Sequence, residues 1–413
     1  MNLDRVIGVC AIVMILFCAA CSSVQAPPAR HRVYTALQGA PKRNLIRSCP
    51  DRYDSRWDYF PEKVRFQYST QLTVSYHRSY KVIDFIPNLQ ANLPLRYVLY
   101  QCGTPRPQGF GGATFIQVPV QRAVLNNPSF GSTVEALGVI DRLYGVNDLD
   151  AFTNETILKA GQEGRLHQLG TRGPSTIELA TAIDTDVVFL FYSANPTFNL
   201  HPALFRLGVG AVALGDIFET SPLGRAEWLK FFALFFNEEG IANVHFDAAA
   251  QRYLELADRV SHTAERPSVL LGFASSRDTW TASGGHNALA QLVHDAGGRY
   301  FLQNDDRPAA NLRMPFEKVM QLAYGASFWI GSNGLNRVPS KCDLIRGTPM
   351  LEHLSAVRIG HVFALDSNML KSEALPFADG SLDKPDVLLS DFVSVLHPGL
   401  LPGYRPVFIR ELL

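Results

Sequence analysis

Two glutamates occupy matching positions in two similar stretches of the chain. Residues 175–191 read STIELATAIDTDVVFLF and residues 315–331 read PFEKVMQLAYGASFWIG. With Glu178 set over Glu317, Ile183 falls over Leu322, Phe189 over Phe328 and Leu190 over Trp329 without a gap. In each copy the acid follows turn-prone residues and precedes an apolar run spaced for one helix face, Ile177 and Ala180 in the first, Phe316, Val319 and Met320 in the second. That spacing predicts a carboxylate in the first turn of a helix, where unpaired backbone N–H groups favour negative charge by about 0.3–1 kcal/mol. A repeated acid of this kind serves helix stability, or it presents two anions to cations outside the chain. Spacing alone leaves both readings open.

Other polar side chains fall where a parallel sheet exposes its carboxyl ends, the place at which such sheets bind ligands. The loops after TFIQVPV, VVFLFY, VLLGFA and SFWIGSN carry Arg122 and Asn126, Tyr192 and Asn195, Arg277 and Trp280, and Asn333. Flat aromatic faces beside a few fixed donors suit a bulky chelate, an arginine in particular offering rigid donors to anionic oxygens. Arg277 and Trp280 are the preferred pair, although each residue of the group could equally be a packed aromatic or a solvated side chain.

Motifs for covalent or metal chemistry are missing. The chain has no G-x-S-x-G and no H-E-x-x-H, beyond residue 21 it has no C-x₂-C, and GVGAVALG departs from dinucleotide-binding spacing. The 11 histidines are scattered, so no protein-held metal or cofactor is expected, and His286 in SGGHNAL reads as a helix-start residue. An exported hydrolase would need an activated nucleophile. The serines and histidine of SSRDTW and SGGH have no demonstrable proximity, so the chain is not expected to be an enzyme.

The elements that would position these residues alternate between strand and helix. From Thr114 onward TFIQVPV, STVEALGVIDRLYGV and TDVVFLFY imply a parallel sheet with helices on its faces. In SPLGRAEWLKFFALFFNEEG, Ser221 or Thr220 can cap a helix, Pro222 fits its first position and Gly240 is the stop. Residues 243–264 form one helical stretch, after which SVLLGFAS opens a second half with the same grammar. Upstream, LTVSYHRSYKVIDFI and LRYVLYQC predict antiparallel strands joined through PNLQANLP. The fold class expected is α/β, two Rossmann-like lobes joined by a single long helix, with an N-terminal β-extension on the first lobe. The boundaries are 43–242 for the first lobe with its extension, 243–264 for the linking helix and 265–413 for the second lobe. A single rigid connector absorbs little backbone rotation, so only modest closure is expected.

A chain of 413 residues, 47% hydrophobic, exceeds what one core usually supports, in keeping with two lobes. Lys+Arg and Asp+Glu both number 38, which gives no electrostatic reason to expect nucleic acid. A monomer is expected. Residues 1–20 combine Arg5 with the apolar run Val6 to Ala20, a secretory signal too short to favour a spanning helix. Its end, Cys18-Ala19-Ala20-Cys21, resembles the bacterial lipoprotein signal, which implies lipidation at Cys21 and a membrane-anchored protein of the periplasm or cell surface. A plain cleavage site with an incidental cysteine is the alternative. Residues 21–42, rich in proline and without apolar period, suit a tether. Cys49, Cys102 and Cys342 remain; export permits a disulfide, and Cys49 with Cys102 is the favoured pair because both flank the strand-rich region.

The segments STIELATAIDTDVVFL and MPFEKVMQLAYGASFWI resemble the paired motif of type III (cluster A) periplasmic substrate-binding proteins, the siderophore, heme and cobalamin binders of ATP-driven importers. Further similarity lies in SPLGRAEWLKFFALFF, RPSVLLGF, HDAGGRYF and KPDVLLSDFVSVLHPGLLPG, so the resemblance covers the chain from Tyr76 to Leu413. It implies that Glu178 and Glu317 project from the transporter-facing side, one per lobe, to meet arginines of the two permease subunits that work with the ATPase. It implies a lipid-anchored ABC-importer component that captures a metal chelate between its lobes, a ferric siderophore first, with heme or cobalamin as alternatives. Arg225, Glu227 and Trp228 recur in the resemblance and read as structural fixtures near the lobe junction. An adhesin or structural lipoprotein on the same scaffold is a third class, since fold does not dictate function.

Overall fold

Short runs of Val, Leu, Ile and Phe bounded by polar turns form the two central sheets. The computed structural model describes residues 35–37, 39–87, 94–170, 174–276, 278–307, 312–331, 340–365 and 380–412. In the first sheet the order is Ala211–Leu214, Val187–Phe191, Ala123–Asn126, Leu143–Val146 and His167–Gln168, every pairing parallel. In the second it is Arg299–Tyr300, Ser268–Leu271, Phe328–Gly331, Val362–Leu365 and Ile409–Glu411, where only the last strand pairs antiparallel. Val187, Val188, Phe189 and Leu190, like Val269, Leu270 and Leu271, are buried. Helices cover both faces of such a sheet, which is why these strands read as continuous apolar runs.

Without the edge strands His167–Gln168 and Ile409–Glu411 the two sheets have one order. Each lobe's first strand, Ala123–Asn126 or Ser268–Leu271, lies between its second strand and the strand that follows the glutamate helix. The repeat seen in sequence is therefore a repeat of topology. All of it belongs to one compact unit, which starts at Tyr34.

The β-extension is a four-stranded sheet of Leu72–Tyr76, Tyr80–Phe85, Leu95–Gln101 and Thr114–Val118. Thr114–Val118 was expected to open the lobe sheet, but it pairs with Leu95–Gln101 instead. Pro119 has no N–H to continue the ladder, Val120 donates to the Phe235 carbonyl, and the lobe sheet starts at Ala123. Thr35–Leu37, within the expected tether, pairs with Ser48–Pro50. Cys49 and Cys102 form a disulfide across 53 residues, which stabilises by about 4 kcal/mol if the effect is mainly loop entropy. Cys342 is free and exposed.

Between the two sheets lies the helix Glu239–Ser261, 23 residues and about 35 Å long. Ala242, Phe246, Ala249, Ala250, Tyr253, Leu256 and Val260 form its buried face, at the three- and four-residue spacing of one helix side. That face packs on Trp228–Ala233, Ala288–Asp295 and Pro385–Leu396. The helix starts before its expected position, and Gly240 lies inside it. The preceding run ends instead at Asn237, which takes a positive φ of 61° and is held there by Nδ2 hydrogen bonds to the Leu45 carbonyl and Gln101 Oε1, both 2.9 Å. A Cβ at Gly240 would stand 2.6 Å from Glu62 Oε1, so a larger residue there would have to displace the end of that side chain.

The start of this helix is tied to the extension by a buried charge. Lys81 Nζ, fully buried, donates to Glu239 Oε1 at 2.6 Å, to the Leu234 carbonyl at 2.6 Å and to Asn237 Oδ1 at 2.9 Å. Asn44 Nδ2 donates to the other Glu239 oxygen at 2.8 Å. Burial lowers the Lys81 pKa while Glu239 opposes the shift. Breaking such a pair from one side leaves a buried charge, so Lys81→Met is expected to cost about 3–5 kcal/mol in chemical denaturation. Adding Glu239→Gln to that variant should recover the larger part; a neutral single variant would show that the charge does not hold the extension.

Candidate functional site

The helix Pro174–Ala182 carries Glu178, and the helix Phe316–Ala323 carries Glu317. Each leads into the strand that pairs in parallel with its lobe's first strand. Both acids are exposed. Glu317 lies in the first turn, as its spacing predicts. Glu178 lies a turn further in, because Pro174, suited to a first helical position by its fixed φ and missing N–H, starts the helix early. Helix-end electrostatics fade within the first turn, so they do not account for Glu178. Leu179 and Leu322, on the same two helices, are 43% and 45% exposed.

With this strand order the chain switches sides between the lobe's first strand and the strand after the glutamate helix, and the crevice beyond their carboxyl ends is the expected ligand position. In the first lobe that crevice begins at Asn126, Asn127 and Tyr192. Tyr192 is half-buried, its ring 5.4 Å from that of Phe85, 5.8 Å from His201 and 6.0 Å from Phe218. Burial pushes its phenol pKa up. Asn195 is exposed, and its Oδ1 caps the turn Pro196–Phe198 by accepting from the N–H and hydroxyl of Thr197. Asn147 ends the neighbouring strand and donates its N–H to the Leu125 carbonyl at 3.2 Å, which sets it beside Asn126. Asn126 Nδ2, Asn127 Nδ2, Asn147 Oδ1 and His201 Nδ1 are buried without a hydrogen-bond partner among the described residues. Desolvation lowers the His201 pKa to about 4, so its ring is neutral at neutral pH. No motif marks Asn127, Asn147 or His201. A usable signal for the two asparagines was their position directly after an apolar strand.

Two of the sequence candidates stand elsewhere. Trp280 is not a cleft wall: it lies in the antiparallel sheet Phe273–Ser276, Thr279–Ala282 and Leu312–Pro315, completely buried. Its indole N–H donates to the Leu271 carbonyl at 2.9 Å, and its ring lies 5.2 Å from that of Trp329 and 6.0 Å from Phe316. The chain approaches so closely here that Gly272, at a φ of 102°, could carry no side chain; a Cβ would meet the Thr281 carbonyl at 2.1 Å. Arg122 precedes the strand Ala123–Asn126 and so stands at the amino end of the sheet, away from the crevice. It pairs with Asp184, and Asp186 accepts the backbone N–H groups of Gln121 and Arg122 at 2.9 and 3.0 Å. Arg277, Asn333 and Cys21 lie outside the described residues. His286 is exposed, and no group of three or more His, Cys, Asp or Glu side chains among the described residues could hold a metal ion.

Buried acids fix the surroundings of the crevice. Glu227 accepts the N–H groups of Gln67, Tyr68 and Ser69 at 2.8–3.0 Å. Glu219 accepts the Trp228 indole N–H at 3.0 Å and the Ser69 hydroxyl, and burial raises its pKa. Arg225 pairs with Asp216 at 3.1 Å, and burial raises the Asp216 pKa against that pairing. Glu227 directly, and Trp228 through Glu219, thus tie the segment before the extension to the first lobe, whereas the Arg225 pair lies within that lobe. Between the lobes Pro222–Ala226 packs on Ala288–Asp295 and Pro385–Leu396, and a polar contact crosses as well. Ser132, on the helix Gly131–Ala136, donates to Asp383 of the second lobe, and His245 on the long helix meets the same carboxylate at 3.1 Å.

No family model matches the chain. An uncharacterized lipoprotein of Methanocaldococcus jannaschii is 22% identical over 306 residues, covering 72% of this chain and 70% of that one. Among solved structures, CeuE of Helicobacter pylori in complex with nickel and histidine aligns with a TM-score of 0.52 at 16% identity, covering 71% of this chain and 91% of that one. The siderophore-binding protein FhuD of Vibrio cholerae, bound to ferric Desferal, gives 0.50 at 16% identity over 67% and 99%. A periplasmic heme-binding protein of Pseudomonas aeruginosa gives 0.51 at 17% identity over 71% and 98%. The chain has the two-lobed α/β fold of these type III periplasmic binding proteins, the fold that its paired motif resembles.

The interlobe contact generates a pH prediction. Hydrogen bonding to Asp383 raises the His245 pKa above its ordinary value, against opposition from burial and from Lys384. A raised folded pKa gives stability that is fully present below the unfolded value of about 6.5 and is lost as pH rises through the folded value. The thermal midpoint of the unmodified protein is therefore expected to fall between about pH 6 and pH 8 relative to that of His245→Gln. Parallel pH profiles for the two proteins would remove His245 from the coupling.

Proposed function

We propose that this chain is the lipid-anchored substrate-binding component of an ABC importer. It captures a metal chelate between its lobes, with a ferric siderophore as the leading class, and delivers it to a permease dimer driven by its ATPase. The observation that carries this reading is the pair Glu178 and Glu317: two exposed acids on helices that hold the same place in two topologically equivalent lobes. Two like subunits of a permease present two like surfaces, and each lobe then needs its own anchor. Exposed ion pairs contribute about 0.2–1 kcal/mol each, which suits a partner that must register and then separate. Leu179 and Leu322 add exposed apolar surface on the same helices.

The fold neighbours support a chelate as cargo, since one is bound to ferric Desferal and another to nickel with histidine. The lipoprotein relative and the Cys21 signal support export and membrane anchoring through lipid. We read the chain as a binder rather than a hydrolase. The Ser132 hydroxyl donates to Asp383, and His245 meets that same acid from the other side, so the imidazole is not aligned to take the serine's proton.

Charge reversal at both Glu178 and Glu317 is expected to leave chelate affinity intact and to abolish stimulation of the transporter's ATPase in reconstituted vesicles; unaltered stimulation refutes the docking role. Cys21→Ala is expected to release a soluble, ligand-competent protein, as read by membrane fractionation. Continued membrane attachment of that variant would count against lipidation.

A further inference from the structure

We propose that the first-lobe crevice takes an uncharged ligand rich in carbonyl and hydroxyl oxygens, so that the cargo is a neutral metal chelate rather than a multiply anionic one. This rests on the importer reading and narrows it.

The unpartnered atoms carry the inference. Native interiors leave few buried polar groups unmatched, so a group of them at one place calls for an occupant that completes their hydrogen bonds. Asn126 Nδ2 and Asn127 Nδ2 end the first strand, and Asn147 Oδ1 ends the strand beside it. Thr133 Oγ1 lies on the helix into which the Asn127 turn leads, and His201 Nδ1 lies beyond the Tyr192 ring. Asn126, Asn127, Thr133 and Asn147 are all more than nine-tenths buried, at 9, 4, 0 and 7% exposure. None was placed by a helix cap or ladder bond that would use the atom in question.

Their chemistry is neutral throughout. Two amide groups donate, one amide oxygen accepts, the hydroxyl can do either, and the imidazole is uncharged at neutral pH. Among the described residues the charged groups near it are carboxylates beside a cationic partner, Asp216 with Arg225 and Asp383 with His245, and Asp216 Oδ1 and Asp383 Oδ2 are themselves buried without a hydrogen-bond partner outside those pairs. An anion buried here would trade its hydration for neutral dipoles and would face carboxylates. A neutral chelate that presents amide or hydroxamate carbonyls to the asparagine donors, and an N–H or O–H to Asn147, loses far less on transfer. Buried polar groups built for such partners also discriminate strongly, because a ligand without them leaves each group unmatched.

The test is equilibrium dialysis of the detergent-solubilised, full mature lipoprotein against four probes at one ionic strength. Ferrichrome and cyanocobalamin are neutral; ferric enterobactin and hemin are anionic. A neutral probe is expected to bind tightest, by at least about tenfold, and Asn126→Ala or Asn147→Ala should each weaken it by about tenfold with an unchanged unfolding midpoint. If Asn126→Ala does not fold, Asn126→Ser and Asn147→Ala carry the measurement. Tightest binding of an anionic probe overturns the inference and leaves the importer reading standing. Full affinity in the asparagine variants overturns the assignment of the crevice. Binding of none of the four overturns both readings.

Discussion

The Lys81 ammonium is completely buried, and its partners in the first lobe make that tolerable. A buried cation needs an anion and a full set of acceptors, because its lost hydration is otherwise uncompensated. Glu239 supplies the anion, and its place in the first turn of the long helix is itself favoured by the helix N–H groups. The Leu234 carbonyl and Asn237 Oδ1 supply the acceptors, and both come from the turn that ends the aromatic run of residues 228–236. The β-extension, that run and the start of the connector therefore meet at one atom. Registering these elements fixes where the long helix leaves the first lobe, and so the direction in which the second lobe must be built.

Carboxylates repeat this role where regular ladders are absent. Glu227 holds three successive N–H groups of residues 67–69, a stretch outside any strand. Asp391 does the same near the C-terminus, accepting the N–H groups of Val407 and Phe408 and the Tyr404 hydroxyl, so that Ile409–Glu411 is delivered to the edge of the second sheet. Burial raises the Asp391 pKa, and the N–H donors oppose that rise. A carboxylate accepting several N–H groups satisfies irregular backbone that water cannot reach.

Much of this was legible in sequence. The alternation of strand and helix, the duplicated glutamate segment and the cap at Ser221 depend on local pattern, and the structure follows them, with Ser221 accepting the Gly224 N–H at 3.0 Å. The boundaries that moved were set by distant partners. Asn237 is held by Leu45 and Gln101, far away in the chain. Thr114–Val118 was claimed by Leu95–Gln101 rather than by the strands that follow it. Site residues fared worse for the same reason. Trp280 fits a strand as well as a ligand wall, and only the proximity of Trp329 and Leu271 decides for the core. Arg122 was assigned to a carboxyl end because the wrong strand was taken to open the lobe; moving that strand by one element puts it at the opposite edge of the sheet. Of the group around Asn126, that residue was marked by its place after an apolar run, but Thr133 and His201 carry no such signal and stand out only by their unpartnered buried atoms.

The two proposed surfaces divide the work by charge. The exposed acids keep their hydration in the free protein, so an encounter with cations exchanges water for a partner at little net gain and is quickly reversed. The crevice as proposed works in the other direction: its asparagines are buried, and a matching ligand would complete their hydrogen bonds. Weak, screened contacts outside and well-matched neutral contacts inside let cargo be retained while the carrier exchanges partners. An uncharged ligand would enter or leave such a crevice without altering the charge that the transporter meets.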